Sequence, residues 1–378
     1  MTAPAPAADT AIDTAIDTAI DTAIDTAIDT DVVVIGAGPV GLFQVFQLGL
    51  QGLRAHLIDA LPHPGGQCAE LYGDKPLYDI PGLVFCTGHE LVQRLQQQIA
   101  PFAPHWHGGQ QVEQLTAQPD GRWLVATSAG TRLHARTVCI AAGVGAFVPR
   151  TLKVADLDRA AWLGTQLLYH WDEASAPAQL AGQQVVVHGG DAPAVAQVLA
   201  CAGAAQPPAS ITLQHRRDVF DAPPEQLAQL QALRSAGRVQ VAIGQISAAD
   251  SVAGRLSALQ LLAPDGSTQR LPVDVLLVRL GLLPRLGPLA DWGLALERKQ
   301  LVVDTATFAT SAAGIYAVGD IVSYPGKRRL IVCGFHEATL AAFAIAERLA
   351  GHSVALEYTT SSVRLQQRLG VAAPVPLA

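Results

Sequence analysis

Long apolar runs are missing from this sequence. None reaches the roughly 18 residues a membrane helix needs, so no span and no membrane partner is expected. Charged residues make up only 15% of the chain while half of it is apolar, and that balance excludes a disordered polymer. Basic residues number 25 against 32 acidic ones, and a net charge of −7 argues against general binding to nucleic acid. Neither a basic stretch nor an apolar core follows the first methionine, so no secretory leader is expected. Cysteine is sparse and scattered, at Cys68, Cys86, Cys139, Cys201 and Cys333, with no CxxC pair. An odd, dispersed set is a poor disulfide framework. Reduced thiols packed as small hydrophobes in a cytoplasmic protein are the simplest expectation.

The 378 residues present are enough for two to three domains with a large core. Residues 1–30 are set apart by Ala-Ile-Asp-Thr repeated five times from Ala11 to Thr30, which reads as a low-complexity tail without chemistry of its own. At Asp31 the character changes. The run Asp31–Ile35 is a short apolar stretch suited to a buried parallel strand. A glycine-rich turn, an amphipathic stretch over Leu42–Gln51 and a second strand at Ala55–Ile58 complete a βαβ opening. Strands at Trp123–Ala126 and Thr137–Ile140, punctuated by Asp120-Gly121 and Ala129-Gly130, form an antiparallel meander. A second βαβ opening starts at Gln184, with a strand at Val185–Val187, a helix over Ala194–Ala202 and a strand at Ile211–Leu213. A helix over Glu225–Ser235, a strand at Val239–Ile243, a hairpin at Asp265-Gly266 and the run Val273–Leu280 follow. A last helix is expected over Glu337–Leu349. The economical parse is α/β, with two Rossmann-like dinucleotide-binding domains, one nested in the other. Residues 31–152 and 283–378 make the outer domain and residues 153–282 the inner one.

Gly36-Ala-Gly38-Pro-Val-Gly41 matches GxGxxG between a strand and a helix. The first glycine permits the tight turn, the second lets a pyrophosphate approach the backbone, and the third lets helix and strand pack closely. Asp59 ends the next strand, where an acidic side chain meets ribose hydroxyls. The second opening is less regular. His188 stands where a first glycine would, and Pro193 must fall in the first helical turn, where its missing N–H is not needed. Gly189 and Gly190 still allow close approach, and His188 with Asp191 reads as positioning rather than as an acid/base pair. His215, Arg216 and Arg217 end the following strand, where a 2′-phosphate would lie, and guanidinium forks favour NADPH over NADH.

With Gly319-Asp320 these motifs resemble the thioredoxin-reductase-like flavoproteins, and within them the ferredoxin (flavodoxin)–NADP reductases of the thioredoxin-reductase type. The resemblance runs from Asp31 nearly to the end. It is carried by Gly36–Leu42, Pro64-Gly-Gly-Gln67, Glu70-Leu-Tyr72, Tyr78-Asp-Ile-Pro-Gly82, Ala142–Phe147, His215–Asp218, Ala317-Val-Gly-Asp-Ile321, Tyr324-Pro-Gly-Lys327 and Gly334-Phe-His-Glu-Ala338. It implies FAD in the outer domain and NADPH in the inner one. For FAD it implies the glycines Gly36, Gly38 and Gly41, Asp59 on the adenosine ribose, Gln67 on the flavin side and Tyr72 stacked on the isoalloxazine. It further implies the Val112 backbone at the adenine, Phe147 beside the dinucleotide and Asp320 on a ribityl hydroxyl, with Val112 and Phe147 equally suited to ordinary core roles. Tyr358 and Thr360 stand in the place of a second ring and a hydroxyl near the flavin. For NADPH it implies Gly189, Gly190, Asp191, His215, Arg216 and Arg217.

A thioredoxin reductase carries a dithiol ahead of the second fingerprint. Here that stretch reads Leu167-Leu-Tyr-His-Trp171, so a dithiol relay cannot be assembled. The implied reaction is hydride transfer from NADPH to flavin N5 followed by one-electron steps to ferredoxin or flavodoxin, or the reverse, in a homodimer. No catalytic side chain and no metal is required. A quinone or other small acceptor, and a flavin- and NADPH-binding sensor without turnover, stay open as alternatives. An acidic carrier would need a local basic patch, expected at Lys327-Arg328-Arg329 and extended by Arg364 and Arg368.

Overall fold

The computed structural model describes residues 27–155, 157, 161–169 and 179–371. The repeat as far as residue 26 lies outside the described residues, as do His170 and Trp171 of the stretch that lacks a dithiol.

The first strand, β1, spans Ile28–Ile35, and Val32, Val33 and Val34 are fully buried, as a strand covered on both faces requires. It begins inside the repeat, so residues 28–30 are not tail. Ile28, Asp29 and Thr30 pair with Leu133, His134 and Ala135, whose backbone groups would otherwise lack strand partners on that side. Helix α1 (Pro39–Gln51) starts earlier than Leu42 because Pro39, with φ preset and no N–H, sits in its first turn. β2 (Ala55–Ile58) follows, then α2 (Gln67–Tyr72) and α3 (Gly88–Ile99). The Thr87 hydroxyl accepts the Glu90 N–H, and the Glu90 carboxylate accepts the Thr87 N–H, a capping box that opens α3. β3 (His105–His107), β4 (Val112–Ala117), β5 (Trp123–Thr127) and β6 (Arg132–Ile140) complete this stretch, with β4, β5 and β6 forming the expected antiparallel meander.

Beyond Phe147 the chain enters a second unit, Val148–Leu283, ahead of the expected boundary at 153. Its strands are β7 (Leu167–Leu168), β8 (Gln184–His188), β9 (Ser210–His215), β10 (Gln240–Ile243), β11 (Gln245–Val252), β12 (Arg255–Leu262), β13 (Thr268–Pro272) and β14 (Val275–Val278). Helices α4 (Ala192–Gly203) and α5 (Pro224–Ser235) lie between them in the chain. A parallel sheet runs in the order β7-β14-β8-β9-β10, and β11, β12 and β13 make a separate antiparallel sheet. Pro193 lies in the first turn of α4, where it is tolerated.

The first unit resumes at Pro284 with β15 (Leu296–Glu297), β16 (Gln300–Val302), β17 (Ile315–Ala317), α6 (Ile331–Ala350) and α7 (Val363–Arg368). Its sheet has seven strands, ordered β3-β2-β1-β6-β5-β4, with β17 parallel to the last residues of β6. The fold is α/β with parallel Rossmann-like sheets. Among the described residues no helix is long and apolar enough to cross a membrane, and no His/Cys/Asp/Glu group could hold a metal ion.

Candidate functional site

In the first unit the turn after β1 does three separate jobs. Gly36 has φ +106°, and a Cβ there would lie 2.4 Å from the Ala141 carbonyl oxygen. A Cβ on Gly41 would lie 1.8 Å from the Gly36 carbonyl oxygen, so this glycine seats α1 against the turn. Gly38 differs, since a Cβ there would meet nothing within 4 Å. It faces a cleft of about 1130 Å³, counting the open mouth, and no side chain caps the helix that starts there. Bare backbone at a helix N-terminus facing open space is what a pyrophosphate requires.

The cleft is lined by Gly36, Gly38, Asp59, Gln67, Tyr72, Val112, Phe147 and Asp320. Gly41 lies outside this lining and acts through packing. The Asp59 carboxylate accepts the Ala37 N–H at 2.6 Å and the Leu61 N–H at 2.8 Å, which fixes its plane at the end of β2. Burial raises its pKa, and the two backbone donors oppose that shift. A carboxylate with further lone pairs free can still accept ribose hydroxyls. Gln67 Nε2 donates to Asp320 Oδ2 at 3.4 Å, joining the start of α2 to the turn after β17. Cys68 Sγ donates to the Tyr72 hydroxyl at 3.4 Å, and burial pushes that phenol above its ordinary value. Val112 and Phe147 are buried in the wall.

Glu337 is a residue that sequence reasoning quoted without giving it a role. Fully buried on α6, its carboxylate accepts the Gly319 N–H at 2.6 Å, the Tyr324 hydroxyl at 2.8 Å and the Lys327 ammonium at 2.5 Å. It therefore holds the Gly319-Asp320 turn against the cleft. A glutamate inside an otherwise apolar helical stripe was the available signal.

This network corrects the expected basic patch. Lys327 points inward, with its side chain 8% exposed. Arg364 is paired with Glu357, and Arg368 donates to the Leu50 carbonyl at the end of α1, where a cation complements the helix dipole. Of the five residues, Arg328 and Arg329 remain as exposed cations without a carboxylate partner among the described residues. Tyr358 and Thr360 are likewise not among the lining residues. Both are exposed, and the Tyr358 carbonyl accepts the Ser361 and Ser362 N–H groups in the turn that leads into α7.

The second unit is built differently. Asp191 caps α4 by accepting the Ala194 N–H at 3.3 Å. A Cβ on Gly189 would lie 2.3 Å from the Arg279 carbonyl oxygen, and one on Gly190 would lie 2.6 Å from the His215 ring. Both glycines therefore admit the protein's own atoms. His188 donates to Gln214, which donates on to the Gly244 carbonyl at 2.7 Å, and burial holds this imidazole below its ordinary pKa. His215 Nδ1 donates to the Arg217 carbonyl at 2.9 Å. Arg216 and Arg217 are exposed at the end of β9, with no ion pair among the described residues, while Asp218 is held by both Arg234 nitrogens at 3.0 and 2.9 Å. Two free guanidinium forks beside a capped helix start can take a phosphate.

Comparison with known proteins agrees with this architecture. Residues 30–342 match the family described as pyridine nucleotide-disulphide oxidoreductase. A ferredoxin–NADP reductase of Acidovorax sp. (strain JS42) is 66% identical over 343 residues, covering 90% of this chain and 96% of that protein. One from Paracidovorax citrulli (strain AAC00-1) is 62% identical over 350 residues, covering 90% and 96%. Among solved structures, a thioredoxin reductase from Gloeobacter violaceus superposes with a TM-score of 0.52 at 19% identity, covering 88% of this chain and 98% of that one, a likeness of fold. From its matched residues and these relatives, the chain belongs to the pyridine nucleotide-disulphide oxidoreductase family and, within it, to the ferredoxin–NADP reductases.

Proposed function

We propose that this chain moves electrons between NADPH and a ferredoxin or flavodoxin, with FAD in the first unit and NADPH in the second. The carrying observation is the cleft that gathers Gly38, Asp59, Gln67 and Asp320, residues from both ends of the chain, around bare backbone. Asp59 binds the adenosine ribose, Gln67 and Asp320 orient the flavin and its ribityl chain, and Tyr72 offers its ring to the isoalloxazine. When bound, FAD supplies a group that takes two electrons as a hydride and returns them singly. One NADPH and two oxidised carriers thus give NADP⁺, a proton and two reduced carriers. No side-chain nucleophile or metal enters this balance. With no CxxC in the sequence, electrons leave for an external acceptor rather than for an internal disulfide. We assign the protein to the cytoplasm, from its unpaired cysteines, and to a homodimer, from its family.

The test is steady-state NADPH oxidation by the flavin-loaded protein with ferredoxin, with flavodoxin, with an uncharged quinone and with no acceptor. Fast turnover with either carrier protein is expected. Turnover with the quinone alone would replace this reading by that of a small-acceptor reductase.

A further inference from the structure

The cofactor cleft runs into a second concavity, and the two share Gly143, Val144, Leu286, Asp320 and Arg329 in their linings. Four cations reach this second space, Arg285, Arg298, Lys299 and Arg329, against one lining carboxylate, Asp320. All four are exposed, and none is in an ion pair among the described residues. Four unpaired cations against one carboxylate make this a local excess of positive charge.

The backbone supplies a second, independent observation. Arg298 and Lys299 are the two residues of the tight turn between β15 and β16, where Glu297 pairs with Gln300. Their φ values are +48° and +68°, the left-handed region that residues with a Cβ avoid. A two-residue hairpin of this kind favours Asn-Gly. Turn chemistry alone would therefore select a neutral pair, and the chain carries two long cations there instead. Strain kept at an exposed site points to a use for the groups that bear it.

We propose that the rim formed by Arg285, Arg298, Lys299 and Arg329 is the docking surface for the acidic face of a one-electron carrier protein. The inference rests on the electron-transfer reading above and names where its partner sits. Exposed cations spread around an open rim act over a screening length of about 8–10 Å and steer a large anionic surface. Because the rim shares its inner wall with the cofactor cleft, a carrier seated here lies beside the redox centre.

Two flavin-loaded variants test the assignment. Arg298→Asn/Lys299→Gly removes both charges and installs the pair the turn favours, so the fold should be at least as stable. Arg298→Glu/Lys299→Glu reverses the charges. Apparent KM for ferredoxin should rise about tenfold in the first variant and further in the second, and the fall of turnover with ionic strength should flatten. Turnover with an uncharged quinone and KM for NADPH should stay as in the parent protein. Unchanged ferredoxin KM and salt dependence in both variants, with the parent active on ferredoxin, would overturn the docking surface and leave the function standing. A rise in KM for NADPH instead would make these cations part of a nucleotide site and overturn it too. A parent protein that reduces quinone but no carrier protein would remove both readings together.

Discussion

Gly38 and Gly41 occupy one turn, yet their substitution by alanine should fail in different ways. At Gly41 the new methyl would overlap the Gly36 carbonyl oxygen, so Gly41→Ala should lose much of the native stability or not fold. At Gly38 the backbone has φ −66° and ψ 178°, which alanine accepts, and the methyl would enter open space. Gly38→Ala should therefore keep its thermal midpoint without cofactor and lose FAD affinity by at least tenfold, as read by flavin fluorescence titration. Equal stability losses in both would mean that the turn serves packing alone. Arg216 and Arg217 pose a question of discrimination. Removing both forks should cost about 1–3 kcal/mol of NADPH binding and nothing for NADH, which has no 2′-phosphate. A double alanine variant with an unchanged ratio of the two KM values would refute that role.

The sheet edge formed by β2 and β3 carries three stacked imidazoles. The His56 ring lies 4.5 Å from that of His105 and 5.1 Å from that of His107, and His56 Nδ1 is 2.8 Å from His107 Nε2. Burial, then the neighbouring His105 and His107, lower the His56 pKa to about 4. A histidine whose folded value lies below its unfolded value of about 6.5 stabilises the fold fully above that pH. That contribution should disappear as pH falls from about 6.5 through about 4, because the unfolded chain takes the proton first. Denaturant unfolding at several pH values should show this slope, and His56→Asn should flatten it; an unaltered slope would assign the acid sensitivity to other groups. How legible the elements were depended on where their cause lay. Val32–Val34 announced a buried strand by composition, and Pro39 could have announced the start of α1. The spacing of Thr87 and Glu90 is a local signal for the start of α3. Residues 28–30 could not be read as strand, because their pairing depends on Leu133–Ala135, about a hundred positions away. The cleft was legible through Gly36, Asp59 and Asp320, which sit at strand ends, where topology brings them together. The inward turn of Lys327 was not, since it depends on Glu337 one helix later.

Across the whole molecule all five cysteines are free, and Cys68, Cys86, Cys139 and Cys201 are buried while Cys333 is partly exposed. Burial raises the pKa of each of those four thiols, which leaves little thiolate for reaction. A thiol reagent should thus modify about one group quickly in the native protein and five after denaturation; fast reaction of several native thiols would contradict the burial. The nesting of the second unit bears on how the protein is made. Strand β6 ends before the chain leaves the first unit, but its partner β17 belongs to the segment after Leu283. During synthesis, at about 5–20 residues per second, Val138–Ile140 must wait on the order of ten seconds for that partner to emerge. Meanwhile Val148–Leu283 leaves the ribosome as one continuous stretch and can close its own parallel sheet first. The nascent chain thus carries a finished inner unit and an outer sheet with one apolar edge still open, an edge that chaperones would shield and crowded neighbours could pair with. Cofactor loading waits for the second segment of the outer unit, since Asp320 reaches Gln67 only once that segment has been made.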